Sequence, residues 1–382
     1  MATKIKTPVW PTFAQDEQDA VARVLASGAT NYWYGEEGKL FEQEFAAWCG
    51  ANYGLCVSNG TIALELALKA IGIGKGDEVI VTPRSFLASA AAVVAVGATP
   101  VFADIDAISG NMSPEGILGS ISKQTKAILV VHLGGWPAPM PEIITIAKTH
   151  NLRIVEDCAQ AHGAKIKGKR VGTFGDIAAF SFCQDKIIST GGEGGMLVTN
   201  NQQAYDVAWS LRDHGRGRER TLLDNHPFGF RWLQERIGTN ARMTEMQSAI
   251  GRCQLRKVDE WVEQRTINAM GMIESLQDNE HVHFPIPSSE ISHAYYRLTG
   301  FVTDYSSRDS IVNRLQCAGV HASVGPCAEI YREQAFQNLE LVPPSPLPIA
   351  HEYGKKSIVL SVHPRINEVL PSIIEELQLA FT

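Results

Sequence analysis

The sequence predicts an α/β protein in which a mostly parallel, seven-stranded sheet lies between helices, followed by a smaller C-terminal α+β domain. Three observations lead to this prediction. The chain has 382 residues, enough for more than one domain. From residue 52 onward, short apolar runs alternate with stretches of helical spacing. After residue 176 two apolar runs follow each other too closely for a helix, so we expect part of the sheet to be antiparallel or irregular.

The strands of the large sheet are predicted from apolar runs, because a parallel sheet covered by helices buries both faces of its strands. The seven runs are YGLCVS (53–58), DEVIVTP (77–83), TPVFADID (99–106), KAILVVHL (126–133), LRIVEDCA (152–159), DIAAFSF (176–182) and GGMLVTN (194–200). Helical spacing separates the first five runs, for example in TIALELALKAIG (61–72). Helical connections of this kind are typical of parallel strands.

The C-terminal part follows a different order of elements. One long helical pattern covers residues 244–276. After it the predicted elements are a strand (294–303), a helix (307–319), a short strand (320–325), a proline-rich loop (342–348), a helix, a strand (357–362) and a terminal helix (369–380). We place the domain boundary within the long helix. The prediction is a large domain over residues 1–250 and a small α+β domain over residues 251–382.

Composition excludes several classes of protein. The formal net charge is −7 with basic residues spread along the chain, which disfavours a nucleic-acid partner. No apolar run approaches the roughly 20 residues that cross a bilayer, and the N-terminus lacks the apolar core of a secretory signal. The seven cysteines are odd in number and form no CxxC pair, which indicates reduced thiols and no metal site. We expect a cytoplasmic protein with no membrane insertion.

Polar residues stand where the predicted strands end, the position at which open α/β sheets bind ligands. The first strand runs into SNGT (58–61) and then directly into a helix. Gly60 allows the backbone to approach a ligand, Thr61 offers a hydroxyl group, and the helix N-terminus presents free N–H groups suited to a phosphate. The alternative is that Ser58 or Thr61 is a helix N-cap and nothing more.

A second strand ends in the adjacent carboxylates Glu156 and Asp157. A carboxylate on a rigid strand could hold the proton of a ligand nitrogen, although capping or pairing with a nearby base is the alternative. Gln160 could hydrogen-bond a phenolic oxygen of the same ligand. His162 is a weaker candidate, because a lone histidine is more often structural.

Lys186 lies between the last two strands of the large sheet, in SFCQDKIISTGGEGGM (181–196). A lysine partly shielded from water loses pKa and becomes a nucleophile toward carbonyl groups. A solvated lysine beside an ordinary glycine turn is the alternative. A phosphate site, an aspartate and a reactive lysine are together what pyridoxal phosphate (PLP) requires.

The sequence resembles the DegT-type sugar aminotransferases, a branch of the fold-type-I PLP-dependent enzymes, from about residue 28 to residue 363. The resemblance rests on VSNGTIALELAL (57–68), TPRSFLASA (82–90), VFADID (101–106), EDCAQAHGA (156–164), SFCQDKIISTGGEGGM (181–196), LRDHGR (211–216) and GTNARMTEMQSAIGRCQL (238–255). It implies PLP as cofactor, an amino-acid donor such as glutamate, and a keto sugar as acceptor.

The resemblance also implies roles for individual residues. Lys186 corresponds to the lysine that forms the Schiff base and Asp157 to the partner of the ring nitrogen. The cofactor-binding set that the resemblance implies is Gly60, Thr61 and Ser181 at the phosphate, Phe86 stacked on the ring, Gln160 beside the ring hydroxyl, and Asn240. Phe86 as a core residue is the alternative.

Asn240 corresponds to a residue that reaches the phosphate bound by the neighbouring subunit, which implies a homodimer with shared active sites. Glu193 to Gly195 correspond to the family's glycine-rich entry into a strand close to the lysine. We interpret these glycines as allowing the backbone to pass near the cofactor and the partner subunit.

Two departures from the common family pattern bear on the substrate. The residues before the lysine read SFCQDK, with Cys183 and Asp185, and Gly134, Gly135 and Trp136 replace a family tyrosine or glutamine. A subgroup with similar sequences forms 8-amino-3,8-dideoxy-octulosonate (8-amino-Kdo) for lipopolysaccharide, and we take this as the leading hypothesis. A nucleotide-linked keto sugar is the alternative acceptor. A PLP-dependent sugar dehydratase, which replaces the lysine with histidine, and a non-catalytic regulator are weaker alternatives.

Overall fold

A computed structural model describes residues 4–221 and 233–382. Its strands are β1 (Tyr53–Val57), β2 (Glu78–Val81), β3 (Thr99–Phe102), β4 (Thr125–Val131), β5 (Arg153–Asp157), β6 (Lys165–Ile166), β7 (Lys169–Arg170), β8 (Ile177–Ser181), β9 (Gly195–Thr199), β10 (Val282–His283), β11 (Ile291–Ser292), β12 (Leu298–Val302), β13 (Ala322–Ser323) and β14 (Ser357–Leu360). Its α-helices are α1 (Gln15–Ser27), α2 (Glu37–Cys49), α3 (Gly60–Ala70), α4 (Ala88–Ala95), α5 (Pro114–Ser120), α6 (Met140–His150), α7 (Gln202–Arg212), α8 (Arg218–Thr221), α9 (Glu245–Leu255), α10 (Val258–Ser275), α11 (Arg308–Ala318), α12 (Gln334–Asn338), α13 (Pro348–Lys356) and α14 (Leu370–Ala380).

The large sheet has seven strands in the order β1-β9-β8-β5-β4-β2-β3. The pairs from β8 through β5, β4 and β2 to β3 are parallel, whereas β9 runs antiparallel to both of its neighbours. The predicted mostly parallel sheet of seven strands is therefore confirmed, and its irregular part is β9. The loop of residues 182–194 joins β8 to β9 and carries Lys186.

Helices cover both faces of the large sheet. One face packs against α3, α4 and α7 through an apolar cluster that includes Leu66, Val93 and Ala208. The other face carries a cluster with Ile117 from α5 and Ile143 from α6. Because β4, β5 and β8 lie between these two layers, nearly all their side chains are buried, which explains their continuous apolar sequences.

The long helix predicted over residues 244–276 is two helices, α9 and α10. The two halves bury different faces: Ala249 and Cys253 of α9 pack on α1, whereas Met272 of α10 lies in the core of the C-terminal sheet. Lys257, at the break, donates hydrogen bonds from Nζ to Asp16 and Glu17 of α1 at 2.7 Å each. These long-range contacts explain a break that the helical spacing of the sequence does not indicate.

The C-terminal part contains a four-stranded antiparallel sheet in the order β10-β12-β14-β13. Helices α10, α11 and α14 contribute to its apolar cluster, and Ile5 from the N-terminal segment packs against the same cluster. The predicted strands and helices of this region are confirmed. The division into domains at residue 250 stays a prediction. Residues 1–3 and 222–232 of the predicted large domain lie outside the residues that the structure describes.

In the described part of the chain, no helix combines the length and the apolar character needed to cross a bilayer.

Candidate active site

A cavity of about 670 Å³ lies at the carboxyl ends of the central strands. Its walls contain seven of the eight residues that the sequence analysis assigned to cofactor binding and catalysis: Gly60, Thr61, Phe86, Asp157, Gln160, Ser181 and Lys186. The topology explains this convergence, because β5 ends at Asp157, β8 ends at Ser181 and α3 begins at Gly60. Asn240 is the exception and does not line the cavity.

The N-terminus of α3 forms one end of the cavity. Asn59 is the N-cap, and its side chain accepts a hydrogen bond from the Ile62 N–H at 2.9 Å. The suggestion that Ser58 or Thr61 caps the helix is therefore wrong, and the Thr61 side chain lines the cavity. The remaining N–H groups of the first turn and the Thr61 hydroxyl are suited to bind an anion.

Close packing explains why glycine stands at position 60. A Cβ atom built on Gly60 would lie 2.6 Å from the Cβ of Ser181, so a larger residue would separate α3 from β8. Close packing also explains the glycine at position 195. A Cβ atom built on Gly195 would lie 2.5 Å from the backbone of Asn59, the residue before α3. Of the glycines near Lys186, Gly195 thus packs against the backbone of its own chain, whereas Gly194 lies against the Thr190 side chain and a Cβ on Gly192 would meet no atom within 4 Å. Their predicted approach to the cofactor and to a partner subunit stays a prediction.

Asp157 and Glu156 point to opposite faces of the sheet, as the alternation of a strand requires. The Asp157 carboxylate lines the cavity and is 4% exposed. It accepts hydrogen bonds from Ser89 Oγ at 2.8 Å and from the Ala159 N–H at 3.1 Å. Burial raises the pKa of Asp157, and these hydrogen bonds together with the charge of Lys186 oppose that rise.

Glu156 is buried on the other side of the strand. Its carboxylate accepts hydrogen bonds from the backbone N–H groups of Gly172, Phe174 and Gly175 at 2.7–2.8 Å and is 3.1 Å from His132 Nε2. Burial alone would raise the pKa of Glu156, but the hydrogen bond and charge of His132 and these amides lower it. Glu156 therefore anchors the loop that leads into β8, and it faces away from the cavity.

His132, Glu156 and Cys158 also bring potential metal-ligand atoms within 4.8 Å of one another. Those of His132 and Glu156 are already engaged, because His132 Nδ1 accepts the Ala138 N–H at 3.0 Å while Nε2 contacts Glu156. The absence of a metal site stays a prediction from the sequence.

Lys186 extends into the cavity, and its side chain is 14% exposed. Nζ lies 3.9 Å from Asp185 Oδ1 and 4.8 Å from the centre of the Tyr296 ring. The main chain is fixed by Trp10, whose Nε1 donates to the Lys186 carbonyl at 2.9 Å. The alternative of a solvated surface lysine is therefore wrong.

The pKa of Lys186 is raised, so the expected lowering is wrong. Burial does act to lower the pKa of Lys186, but Tyr296, Asp185 and Asp157 outweigh it and raise the value. Because the charge of Asp157 contributes to this rise, a cation bound to Asp157 would lower the pKa of Lys186.

Gln160 is oriented by the turn after β4. Its Oε1 accepts a hydrogen bond from the Gly134 N–H at 2.7 Å, so the Nε2 amide is the donor it can present to a ligand oxygen. Gly134 and Gly135 have positive φ angles of 64° and 94°. A Cβ on Gly135 would lie 3.0 Å from the Tyr296 N atom, so backbone packing also favours glycine there, whereas a Cβ on Gly134 would meet its nearest atom at 3.8 Å and only the positive φ favours glycine.

The surroundings of Phe86 and His162 decide between the alternative roles of these two residues. Phe86 is 68% exposed at the wall of the cavity, so the interpretation of Phe86 as a core residue is wrong. His162 is fully buried against Phe180 and Phe182 and does not line the cavity. Burial lowers the pKa of His162 to about 3, which is consistent with a neutral structural residue.

Asn240 is exposed and pairs with Asp213 in an isolated bridge. Its neighbour Ala241 accepts a hydrogen bond from the Ser58 N–H at 2.9 Å, so the segment runs beside the loop that precedes α3. The proposed reach of Asn240 to a neighbouring subunit stays a prediction.

The sequence analysis missed three residues in the cavity wall. Tyr296 donates its hydroxyl hydrogen bond to Asp185, and Arg297 Nη2 donates to the same carboxylate at 3.2 Å. Arg84 is fully buried, donates from Nη2 to Ser357 Oγ at 3.2 Å and stacks on Tyr353 at 4.3 Å. The sequence signals were the position of Arg84 after a predicted strand and within the family stretch 82–90, and the charge of Arg297 inside the predicted strand 294–303.

Burial lowers the pKa of Arg84. The pKa of Asp185 is lowered in total: burial acts to raise it, but the charge of Lys186, the hydrogen bond from Tyr296 and the charge of Arg297 outweigh burial. Asp185 therefore stands as an anion beside Lys186.

Similarity to known proteins explains why these residues are found together around the cavity. The profile of the DegT/DnrJ/EryC1/StrS aminotransferase family matches residues 11–378. The chain belongs to this family. GDP-perosamine synthase of Escherichia coli O157:H7 is 38% identical over 312 residues, which cover 81% of each chain. The dTDP-3-amino-3,4,6-trideoxy-alpha-D-glucose transaminase of Streptomyces venezuelae is 33% identical over 347 residues, 91% of this chain and 87% of its own.

Among solved structures, an aminotransferase from Psychrobacter cryohalolentis shares 44% identity with a TM-score of 0.93, covering 98% of this chain and 97% of its own. As a member of the DegT/DnrJ/EryC1/StrS family, the chain is a PLP-dependent sugar aminotransferase of fold type I.

The residues present fit this cofactor. Gly60 and Thr61 at the start of α3 line the cavity, where the free N–H groups of the helix can bind a phosphate, and a buried carboxylate and a shielded amine face the same cavity.

Proposed function

We propose that this protein moves an amino group from L-glutamate to the carbonyl carbon of a keto sugar, in the biosynthesis of a surface polysaccharide or lipopolysaccharide. The observation that carries the proposal is that Lys186, Asp157 and the N-terminus of α3 face one cavity. When bound, PLP supplies an electron sink for the amino carbon. The rest of the chemistry belongs to side chains of this chain.

Asp157 would hold the pyridine nitrogen in its protonated form. Its carboxylate is well placed for this role, since it is buried and its orientation is fixed by Ser89 and the Ala159 N–H. The first turn of α3, with Thr61 and Ser181, would bind the phosphate. Phe86 would cover one face of the ring, and the amide of Gln160 would donate to the ring hydroxyl.

Lys186 would move the proton between the amino carbon and the cofactor. To act as a base, Lys186 must first lose a proton. Asp185 and Tyr296 affect this loss because both raise the pKa of Lys186. Asp185 stabilises the ammonium form of Lys186, whereas binding of a cation at Asp157 would favour the free amine. The pairing of Asp185 with Tyr296 and Arg297 keeps this carboxylate at a fixed distance from Nζ.

Two acceptors have specific support. The sequence around Lys186 and Gly134 supports a keto sugar acid and thereby the formation of 8-amino-Kdo, our leading candidate. The names of several relatives, which include GDP-, dTDP- and UDP-linked amino sugars, support a nucleotide-linked keto sugar instead. The presence of Lys186 disfavours a dehydratase.

Two further relatives bear regulatory names, a sensory transduction protein and a pleiotropic regulatory protein. A non-catalytic regulator would bind PLP without reacting with an amino donor.

An absorbance spectrum of the PLP-loaded protein distinguishes an aminotransferase from such a regulator. We expect the visible band to bleach on addition of glutamate and to return on addition of the correct keto sugar from a panel of sugar acids and nucleotide sugars. A band that no amino acid alters would contradict the aminotransferase.

A further inference from the structure

A second cavity of about 690 Å³ lies beside the first. The two cavities share Arg297, Ser323 and Val359 in their walls. The guanidinium group of Arg297 lies at the junction, because Nη2 donates to Asp185 beside Lys186 while Nη1 donates to Ser361, a wall residue of the second cavity, at 3.3 Å.

The wall of the second cavity is basic. Lys4, Lys6, Arg297 and His321 line it, and no aspartate or glutamate of the described chain does so. The first cavity is different in this respect, since Asp157, Asp185 and Glu193 all contribute to its wall. A concave surface that carries cations without carboxylates favours an anionic ligand.

The N-terminal segment that supplies the two lysines is attached to the C-terminal part. The Ile5 N–H donates to the Ala318 carbonyl at 2.8 Å, and Thr7 Oγ1 donates to the Gly319 carbonyl. A Cβ on Gly319 would lie 2.1 Å from the Ile5 carbonyl oxygen, so this contact requires glycine.

Ile5 packs against the core of the small sheet. Extended backbone alternates its side chains, and an inward Ile5 therefore puts Lys4 and Lys6 together on the other side.

We propose that this basic cavity binds the anionic end of the sugar acceptor, through carboxylate or phosphate oxygens. The inference rests on the proposed function. The reacting carbonyl of the acceptor would lie in the Lys186 cavity, and the charged end of the same molecule would contact Lys4, Lys6 and His321. Lysine and arginine donate charge-assisted hydrogen bonds to both kinds of oxygen. An acceptor that occupies both cavities is longer than a neutral monosaccharide.

The test uses the PLP-loaded full-length protein and two anionic probes, inorganic pyrophosphate and gluconate. The variant Lys4→Gln/Lys6→Gln removes two charges from the basic cavity. The matched control, Lys123→Gln/Lys126→Gln, removes two exposed charges near the start of β4, at the end of the sheet away from the site. Calorimetric titration at low ionic strength measures the affinity of each protein for each probe.

We expect the Lys4/Lys6 variant to bind at least one probe about tenfold more weakly than the wild type, the scale of a lost hydrogen bond between charged groups. The control should bind like the wild type. A loss for pyrophosphate identifies phosphate oxygens as the ligand chemistry, and a loss confined to gluconate identifies a carboxylate. Equal affinities in all three proteins, or no binding to the wild type, would overturn the proposal.

The spectral response to glutamate is recorded on the same samples and must be unchanged in both variants, since neither pair of lysines lies in the Lys186 cavity. A wild type that fails to respond to glutamate but binds a probe through Lys4 and Lys6 would refute the proposed function and leave the anion site standing. The two failures are therefore distinguishable.

Discussion

Asp157 and Glu156 are neighbours in the chain with different surroundings. Asp157 faces the cavity with two hydrogen bonds to its carboxylate, whereas Glu156 is enclosed by His132 and three backbone amides. The sequence placed both at the end of a strand and could not choose between them from residue type alone. The alternation of β5 assigns one to each face of the sheet, and the resemblance to the family had pointed to Asp157.

Substitution of Asp157 tests its assignment to the ring nitrogen. Asp157→Asn keeps the shape and the hydrogen bond from Ser89 but removes the charge that would hold the ring proton. We expect the protein to retain PLP and to lose activity by about 100-fold or more, the scale of removing one electrostatic contribution to a transition state. Steady-state kinetics at saturating PLP measure the loss. Near-normal turnover would show that another group is the partner of the nitrogen.

Most of the proposed site could be predicted residue by residue, but the pKa of Lys186 could not. The direction of that pKa depends on Asp185 and Tyr296, and Tyr296 comes from a distant part of the chain. Arg84 is a similar case. Its complete burial follows from the stacking on Tyr353 and the bond to Ser357, contacts between residues far apart in sequence.

At the scale of elements, the meeting of α3 with β8 shapes the phosphate end of the site. Gly60→Ala would place a methyl group 2.6 Å from Ser181 Cβ. Relief of such a clash costs about 1–3 kcal/mol. We expect the first turn of α3 to shift and the affinity for PLP to fall by about tenfold, an effect of roughly 1.4 kcal/mol. Fluorescence titration of the apoprotein with PLP measures this affinity.

Gly119→Ala is the matched control, because Gly119 lies in α5 and a Cβ there would meet no atom within 4 Å. Alanine in a helix is favoured over glycine by roughly 0.8–1.0 kcal/mol, so this variant should be slightly more stable and bind PLP normally. Unchanged PLP affinity in Gly60→Ala would contradict the role given to this contact.

Glu156 stabilises the connection between β5 and β8, and its stabilisation depends on pH. The folded protein holds the pKa of Glu156 below its ordinary value of 4.5. A carboxyl group with a lowered folded-state pKa stabilises the fold above its unfolded-state pKa, and this contribution is lost as the pH falls through the folded-state pKa. We expect Glu156→Gln to lower the free energy of unfolding by about 3 kcal/mol at pH 7, because the amide nitrogen of glutamine cannot accept a hydrogen bond and so leaves buried N–H donors without a partner.

Denaturant unfolding at several pH values checks this expectation. The difference between wild type and Glu156→Gln should shrink as the pH drops below 4.5, and the exposed Glu263→Gln in α10 should match the wild type throughout. A Glu156→Gln protein as stable as this control at pH 7 would show that the buried contacts of the carboxylate contribute no net stability.

The strands of the large sheet were predictable, whereas the short strands β6, β7, β10 and β11 and the break in the long helix were not. The central strands of the large sheet are largely apolar runs because both of their faces are covered, so local pattern was sufficient to predict them. The break between α9 and α10 was not predictable, since it depends on Lys257 bonding to α1, some 240 residues earlier in the chain.

At the scale of the whole molecule, the central hypothesis is a homodimer with shared sites. Asn240 is exposed and lies outside the cavity of its own chain, yet its segment runs beside the loop that leads into α3. We expect Asn240→Ala to weaken PLP binding, and mixing this variant with Lys186→Ala protomers tests whether Asn240 acts across subunits.

If Asn240 acts in the neighbouring site, each mixed dimer has one site with both substitutions and one wild-type site, and mixing restores up to half of the activity per dimer. If Asn240 acts in its own chain, neither site of the mixed dimer is intact. Activity is measured after subunit exchange has been verified with differently tagged protomers. No recovery under these conditions would rule out a shared site.

The identity of the reactive lysine is the most direct test of the account. Borohydride reduction of the PLP-loaded protein attaches the cofactor permanently to the amine that holds it, and peptide mapping by mass spectrometry locates that amine. The account predicts a single labelled lysine, Lys186, and no label in Lys186→Ala, which should fold normally but show no turnover. A label on Lys165, Lys167 or Lys169 would contradict it.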